Sequence, residues 1–393
     1  MSPRAREGSY IYTDVATARR YTLVVGAGIN ASRQVPGWAA LVRMAWQAVF
    51  RGDKDYRRDI AKRIAEARSM VKKHCGWSEE DAQRLDVAIH PLEPQFALEL
   101  IELHLRENPD DAERVRTFAT DAGSPLGVVS SWNVLALLLA RCLYADERPA
   151  STADTLSELA RFIRRSKRLV RVISLNVDNL LELEVAKTEP RNDPDTSLQV
   201  ISRARHRPRT GIPTYHLHGF LPQSLVRNGP RLWDPPPRSR AKRLRMKTAQ
   251  DVEHMTEPVP ESLVFTDAQY WQSVATPLSF ANFVFANALH DSSCIFIGLS
   301  MTDLNIIRWL GLYAAEFRRG FELELRDKGH TDLRIPSPYI RHCWIRSPSG
   351  DPTGLITRFL ERRGIHTRVV PNWRAKSVQK ALDQLMEFDA PQK

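Results

Sequence analysis

The chain has 393 residues, with 57 Lys and Arg against 46 Asp and Glu, for a formal net charge of +11. That length supports one large core or two smaller ones, and the basic balance suits nucleic acid, another polyanion or a phosphate-rich dinucleotide. Its four cysteines, Cys75, Cys142, Cys294 and Cys343, stand far apart with no Cys-x-x-Cys pair, which excludes a zinc ribbon and suits a reducing, cytoplasmic setting.

In chain order, Met1–Gly8 lacks the apolar core of a signal peptide. Tyr21–Val25 is a short run of aromatic and β-branched residues that reads as a buried strand. It breaks into Gly26-Ala27-Gly28 and then a polar helix-start residue, Asn30 or Ser32. Two readings stand side by side: glycines that let the backbone approach a pyrophosphate held by the free N–H groups of the following helix, or a tight strand-to-helix turn. A helix follows around Gly37 to Phe50. From residue 49 to 165 the pattern is helical, with a charged run at Lys54–Lys73, an amphipathic stretch at Gln95–Arg106 and an apolar one at Trp132–Tyr144. The longest apolar run, Val134–Ala140, falls far short of the roughly 20 residues a membrane span needs, so no membrane association is expected.

The α/β pattern then resumes, with strands expected at Leu169–Leu175, Thr214–Leu217, Cys294–Ile297, Tyr339–Ile345 and His366–Val370. Strands alternating with helices imply a parallel sheet, here a Rossmann-like α/β domain built from residues 1–48 and 166–393, with 49–165 as an all-helical insertion. A basic, proline-rich stretch at about 221–260 interrupts the domain as a loop or lid. Basic residues cluster at Arg203, Arg205, His206, Arg207 and Arg209, and again from Arg227 to Lys247. The plainer reading of this 203–247 segment is a solvated insertion, and the alternative is a nucleic-acid or partner surface. No helix-turn-helix, Cys/His finger or internal repeat is evident.

Polar residues gather where these strands end. The second strand runs into Asn176 and Asp178, the third into His218-Gly219, and the fourth into Gly298, Ser300 and Asp303. In an open parallel sheet ligands sit outside the carboxyl ends of the strands, so these positions describe a shared site. Asn176, Asp178, Ser300 and Asp303 also suit helix caps, and a histidine at a strand end is often a hydrogen-bonded structural residue. His216, two positions before His218 and on the same face by strand alternation, is a candidate to support it from behind. Trp38 suits core packing.

The set Gly26-Ala27-Gly28-Ile29, Pro36-Gly37-Trp38, Asn176-Val177-Asp178, His218-Gly219 and Gly298-Leu299-Ser300 with Asp303 resembles the sirtuin family. It resembles the sirtuin-like NAD hydrolases of bacterial antiphage defence, of the type paired with a HerA-like ATPase, more closely than the protein deacylases. The chain departs from the family at Asn30, where Ser is usual, and from the protein deacylases at Trp38-Ala39, where they have Phe-Arg, and at Leu175, where they have Gln. It also lacks their zinc ribbon. The resemblance implies an NAD glycohydrolase that releases nicotinamide and ADP-ribose, with NAD as substrate and no metal. It implies Asn176 and His218 as catalytic residues, and Gly26, Ala27, Gly28, Asn30, Asp178, Gly298, Ser300 and Asp303 as the dinucleotide-binding set. A homo-oligomer and a HerA-like ring ATPase partner follow from the same likeness. Breaking the nicotinamide–ribose bond passes through an oxocarbenium-like transition state. A carboxylate such as Asp178 suits the carboxamide and the developing charge, an amide such as Asn176 orders a water or ribose hydroxyl, and an imidazole such as His218 takes a proton at neutral pH. The segment near Arg346 is a place to look for adenine contacts. Two alternatives remain open: a nucleic-acid-binding or sensing subunit with a regulatory nucleotide site, and a protein deacylase.

Overall fold

Short runs rich in Val, Ile and Leu build the sheet: β1 (Tyr21–Val25), β2 (Leu169–Ser174), β3 (Leu198–Ile201), β4 (Ile212–His216), β5 (Ser293–Ile297), β6 (His342–Arg346) and β7 (Ile365–Val369). Every pairing is parallel, in the order β3-β4-β2-β1-β5-β6-β7, and the arrangement is Rossmann-like α/β. The structure, a computed structural model, describes residues 20–50, 93–119, 131–145, 147, 154–188, 197–201, 211–223, 279–301, 303–327 and 342–386. The helical run expected at Lys54–Lys73 and Cys75 lie outside these residues. So does the basic 203–247 segment apart from 211–223.

β1, β5 and β6 are buried along their whole length, as expected of parallel strands covered on both faces. Register partners Tyr215, Ile173, Val24, Phe296 and Trp344 form a row across one face. They pack with α7 (Phe280–Asp291) and α8 (Leu304–Asp327), where Phe285 stacks on Trp309 at 4.4 Å. One residue further along, His216, Ser174, Val25, Ile297 and Ile345 form a row that points to the opposite face. α5 (Thr155–Arg165) packs against α6 (Leu180–Thr188) and α10 (Ala375–Met386), and α9 (Leu355–Glu361) packs against β7.

The chain divides into two compact units. The first comprises residues 1–33, 149–217 and 273–393 and holds the sheet. The second comprises residues 34–148 and 218–272. Its described helices are α1 (Trp38–Phe50), α2 (Glu93–Glu107), α3 (Pro109–Ala119) and α4 (Ser131–Tyr144). Residues 134–140 of α4 are all buried, which is why that run is apolar on every side. α1 buries Leu41, Val42, Ala45, Trp46 and Val49, and Arg114 of α3 donates to the Ala48 and Val49 carbonyls at its last turn. The sequence pattern drew the helical region at 49–165. In the structure α1 clusters with the helices, and α5 clusters with the sheet because its buried face is bonded to α6. No helix among the described residues is long and apolar enough to cross a membrane.

Candidate functional site

The strand order reverses between β1 and β5: the chain goes from β1 to β2, out to the edge strand β3 and back to β4 between them, then crosses to the other side of β1 for β5, β6 and β7. Ligands of open parallel sheets bind at the carboxyl ends of the strands beside such a switch point. The glycines lie there. Gly26 N–H donates to the Ile297 carbonyl at 3.1 Å, and Gly28 N–H donates to the Gly298 carbonyl at 2.9 Å. A Cβ on Gly28 would stand 2.9 Å from Gly298 Cα, and one on Gly298 would stand 2.7 Å from the Ile29 nitrogen. The close approach that demands glycine is therefore between the turn after β1 and the turn after β5. The Gly28 N–H is itself engaged by the Gly298 carbonyl, so it takes part in this turn-to-turn contact. The following segment, Ala27–Arg33, is a single 3-10 helix rather than an α-helix capped by Asn30 or Ser32.

Gly298 also has φ +70°, a left-handed conformation that an L side chain adopts at a cost. Gly298→Ala is expected to lower stability by about 1–3 kcal/mol, because strain and a backbone clash add. Gly354 has the same φ, but a Cβ there would meet nothing within 4 Å, so Gly354→Ala is the control and should cost less in a urea melt.

The 3-10 helix carries Asn30 to the turn after β2. Asn30 is 2 % exposed, and its Nδ2 donates to Asp178 Oδ2 at 2.6 Å. Asp178 Oδ1 accepts the Leu180 N–H at 3.1 Å, so this carboxyl both starts α6 and binds Asn30. Asn30 Oδ1 is buried and has no hydrogen-bond partner among the described residues. Burial pushes the Asp178 carboxyl up to about 6, with Glu182 adding to the rise against the bonds from Leu180 and Asn30. The folded chain thus holds a proton that the unfolded chain releases near pH 4. The stability this supplies is complete below that pH and disappears as pH rises through about 6. Asp178→Asn should flatten that slope, read as the difference between wild-type and variant urea midpoints at pH 4.5 and 7.5.

Asn176 lies in the same turn and is buried. Its N–H donates to Ser174 Oγ at 3.1 Å, and its carbonyl accepts from the Ser174 hydroxyl at 3.1 Å. His216 Nδ1 stands 2.9 Å from that carbonyl, and His216 Nε2 stands 2.8 Å from Glu182 Oε1. Burial acts to lower the His216 pKa, but the Glu182 carboxylate, the Asn176 carbonyl and Asp178 outweigh it and hold the imidazole above its ordinary value.

Behind these residues Arg33, 1 % exposed, bonds Asp154 Oδ2 and Glu184 Oε2, each at 2.7 Å. Asp154 caps α5 through the Ser157 N–H at 2.8 Å, and Ser157 Oγ donates to Glu184 at 2.8 Å. Burial opposes every charge in this cluster. The mutual bonds overcome it, holding Arg33 above and Asp154 and Glu184 below their ordinary values.

The structure thus joins Gly26 and Gly28 to Gly298, and Asn30 to Asp178. Ala27 and Ser300 are exposed. Asp303 accepts the Asn305 and Ile306 N–H groups at 2.8 and 3.2 Å, which makes it the cap of α8. β4 ends at His216, so strand alternation does not extend to His218, whose half-buried residue falls in the second unit. The sequence pattern missed Ser174, Glu182, Arg33, Asp154 and Glu184. Glu182 was the most readable of them, four residues after Asp178 and hence one helical turn on. Arg346, at the end of β6, is occupied by the Ser347 carbonyl at 3.0 Å and Thr357 Oγ1 at 3.2 Å. The Cys142 and Cys343 thiols are each pushed up to about 12 by burial, which keeps them un-ionised near neutrality. Among the described residues no group of three or more His, Cys, Asp and Glu is placed to hold a metal. No protein-family model matches the chain, and a search of curated proteins finds no relative.

Proposed function

We propose that the chain is an NAD glycohydrolase that cleaves the nicotinamide–ribose bond to give nicotinamide and ADP-ribose, resembling the sirtuin-like NAD hydrolases of antiphage defence. The observation that carries this is the meeting of Asn30 with Asp178, next to Asn176, at the carboxyl ends of β1 and β2 beside the switch point. Asn30 Oδ1, a buried acceptor with no donor among the described residues, and the Asp178 carboxyl suit the NH₂ of a carboxamide. Above about pH 6 the ionised Asp178 favours the cationic transition state. The resemblance assigns to Asn176 the ordering of the attacking water or a ribose hydroxyl, and to His218 the acceptance of a proton. Gly26, Ala27, Gly28, Gly298, Ser300 and Asp303 are assigned to the dinucleotide by resemblance, and the net charge of +11 attracts its phosphates.

The homo-oligomer, the HerA-like ATPase partner and the cytoplasmic setting belong to the same proposal. Incubating the purified chain with NAD, alone and with its partner, and following nicotinamide tests it. Absence of release in both cases, together with unchanged cellular NAD in a His218→Ala strain, refutes it.

A further inference from the structure

His216 and Glu182 have side-chain exposures of 0 and 2 %, so neither meets solvent, and the proposed chemistry gives neither a task. His216 touches the backbone of Asn176, and Glu182 touches His216. β2 ends at Ser174, so no sheet ladder holds Asn176, and side chains hold it instead. Ser174 Oγ bonds both its N–H and its carbonyl, and His216 Nδ1 stands against the same carbonyl at 2.9 Å. A carbonyl can only accept, so Nδ1 carries a proton. Glu182, 2.8 Å from Nε2, fixes the ring so that this N–H stays aimed at Asn176. His216 comes from β4 and Glu182 from α6, so the pair ties the turn carrying Asn176 to two separate elements.

We infer that the Glu182–His216 pair is a positioning device for Asn176, the donor at the Nδ1 position setting the orientation in which that amide works. This rests on the role proposed for Asn176 above.

The test replaces the donor by position. Asn at residue 216 places its amide nitrogen where Nδ1 stands, whereas Gln, closer to His in length, places it where Nε2 stands. His216→Gln is expected to lower kcat for nicotinamide release about ten- to hundredfold, with KM for NAD within about twofold, and His216→Asn to stay within about threefold of wild type. A role in packing alone would lower both variants alike. Ser174→Ala, which deletes the other clamp on the same peptide with little change in volume, is expected to lower kcat about tenfold. It keeps the question answerable should either position-216 variant fail to fold.

Equal kcat in the Gln and Asn variants, a change confined to KM, or wild-type turnover by Ser174→Ala would overturn the inference. Turnover by the wild-type chain separates it from the proposed reaction. If the wild type releases nicotinamide and these contrasts are absent, the positioning role alone fails. If the wild type releases none, the reaction fails, and hydrogen exchange at the Asn176 amide decides the positioning role. Faster exchange in His216→Gln than in His216→Asn supports it, and equal exchange contradicts it.

Discussion

Asn176→Ala and His218→Ala are each expected to lower nicotinamide release from NAD by about 10²–10⁴-fold, the range lost when a positioned acid–base or orienting group is removed. Their folds should survive. Asn176 is tied into its turn through backbone N–H and carbonyl, which alanine retains. His218 lies beyond the last ladder residue of β4 and is half-buried, so its truncation leaves the sheet core intact, with a stability change within about 1 kcal/mol. The assay is nicotinamide release by the purified chain under the same activating conditions for every variant, with a urea melt beside it. Wild-type rates in either variant would remove that residue from the chemistry. Slow variants that are also largely unfolded would mean that the melt, not the assay, explains the loss.

The second large effect is on stability. Arg33→Ala should cost about 3–5 kcal/mol, because it strands the buried Asp154 and Glu184 carboxylates without their shared cation. Neutralising the partners at the same time, in Arg33→Met with Asp154→Asn and Glu184→Gln, should recover most of the loss, since Asn retains an acceptor for the Ser157 N–H and no charge is left buried. The pH dependence gives an independent check. Asp154 and Glu184 have lowered pKa values in the folded chain, so their stabilisation is present above the ordinary carboxylate range and is lost as pH falls through the folded values. In Arg33→Ala the acid limb of the stability curve should shrink or reverse. A single variant as stable as wild type at pH 7 would show that the cluster contributes nothing net.

Much of the architecture was readable because buried parallel strands are continuous apolar runs. Tyr21–Val25 and Ser293–Ile297 sit side by side at the centre of the sheet as such runs. Leu198–Ile201 was not readable: at four residues on the sheet edge it is too short to show a period. The glycines announced a close approach, read in the sequence as one to a pyrophosphate or a tight turn, and left no trace of the Gly298 backbone beside them. Only the adjacency of β5 to β1, set by a chain reversal far along the sequence, shows that Gly26 and Gly28 face Gly298. Asn176 and Asp178 were found by their place after a strand. Asn30 meeting Asp178 across 148 residues leaves no local trace, nor does the dependence of Asn176 on Ser174 and His216. Asp303 was legible both as a strand-end residue and as a helix cap, and its Oδ1 serves the cap.

The claim on which the rest depends is that the ribose of a dinucleotide occupies the carboxyl ends of β1 and β2. Hydrogen exchange of the purified chain with saturating ADP-ribose measures this most directly. Slowed exchange is expected in the segments 26–33 and 174–180, with little change at the amino ends of the same strands. Binding of ADP-ribose that leaves both segments unprotected would contradict it.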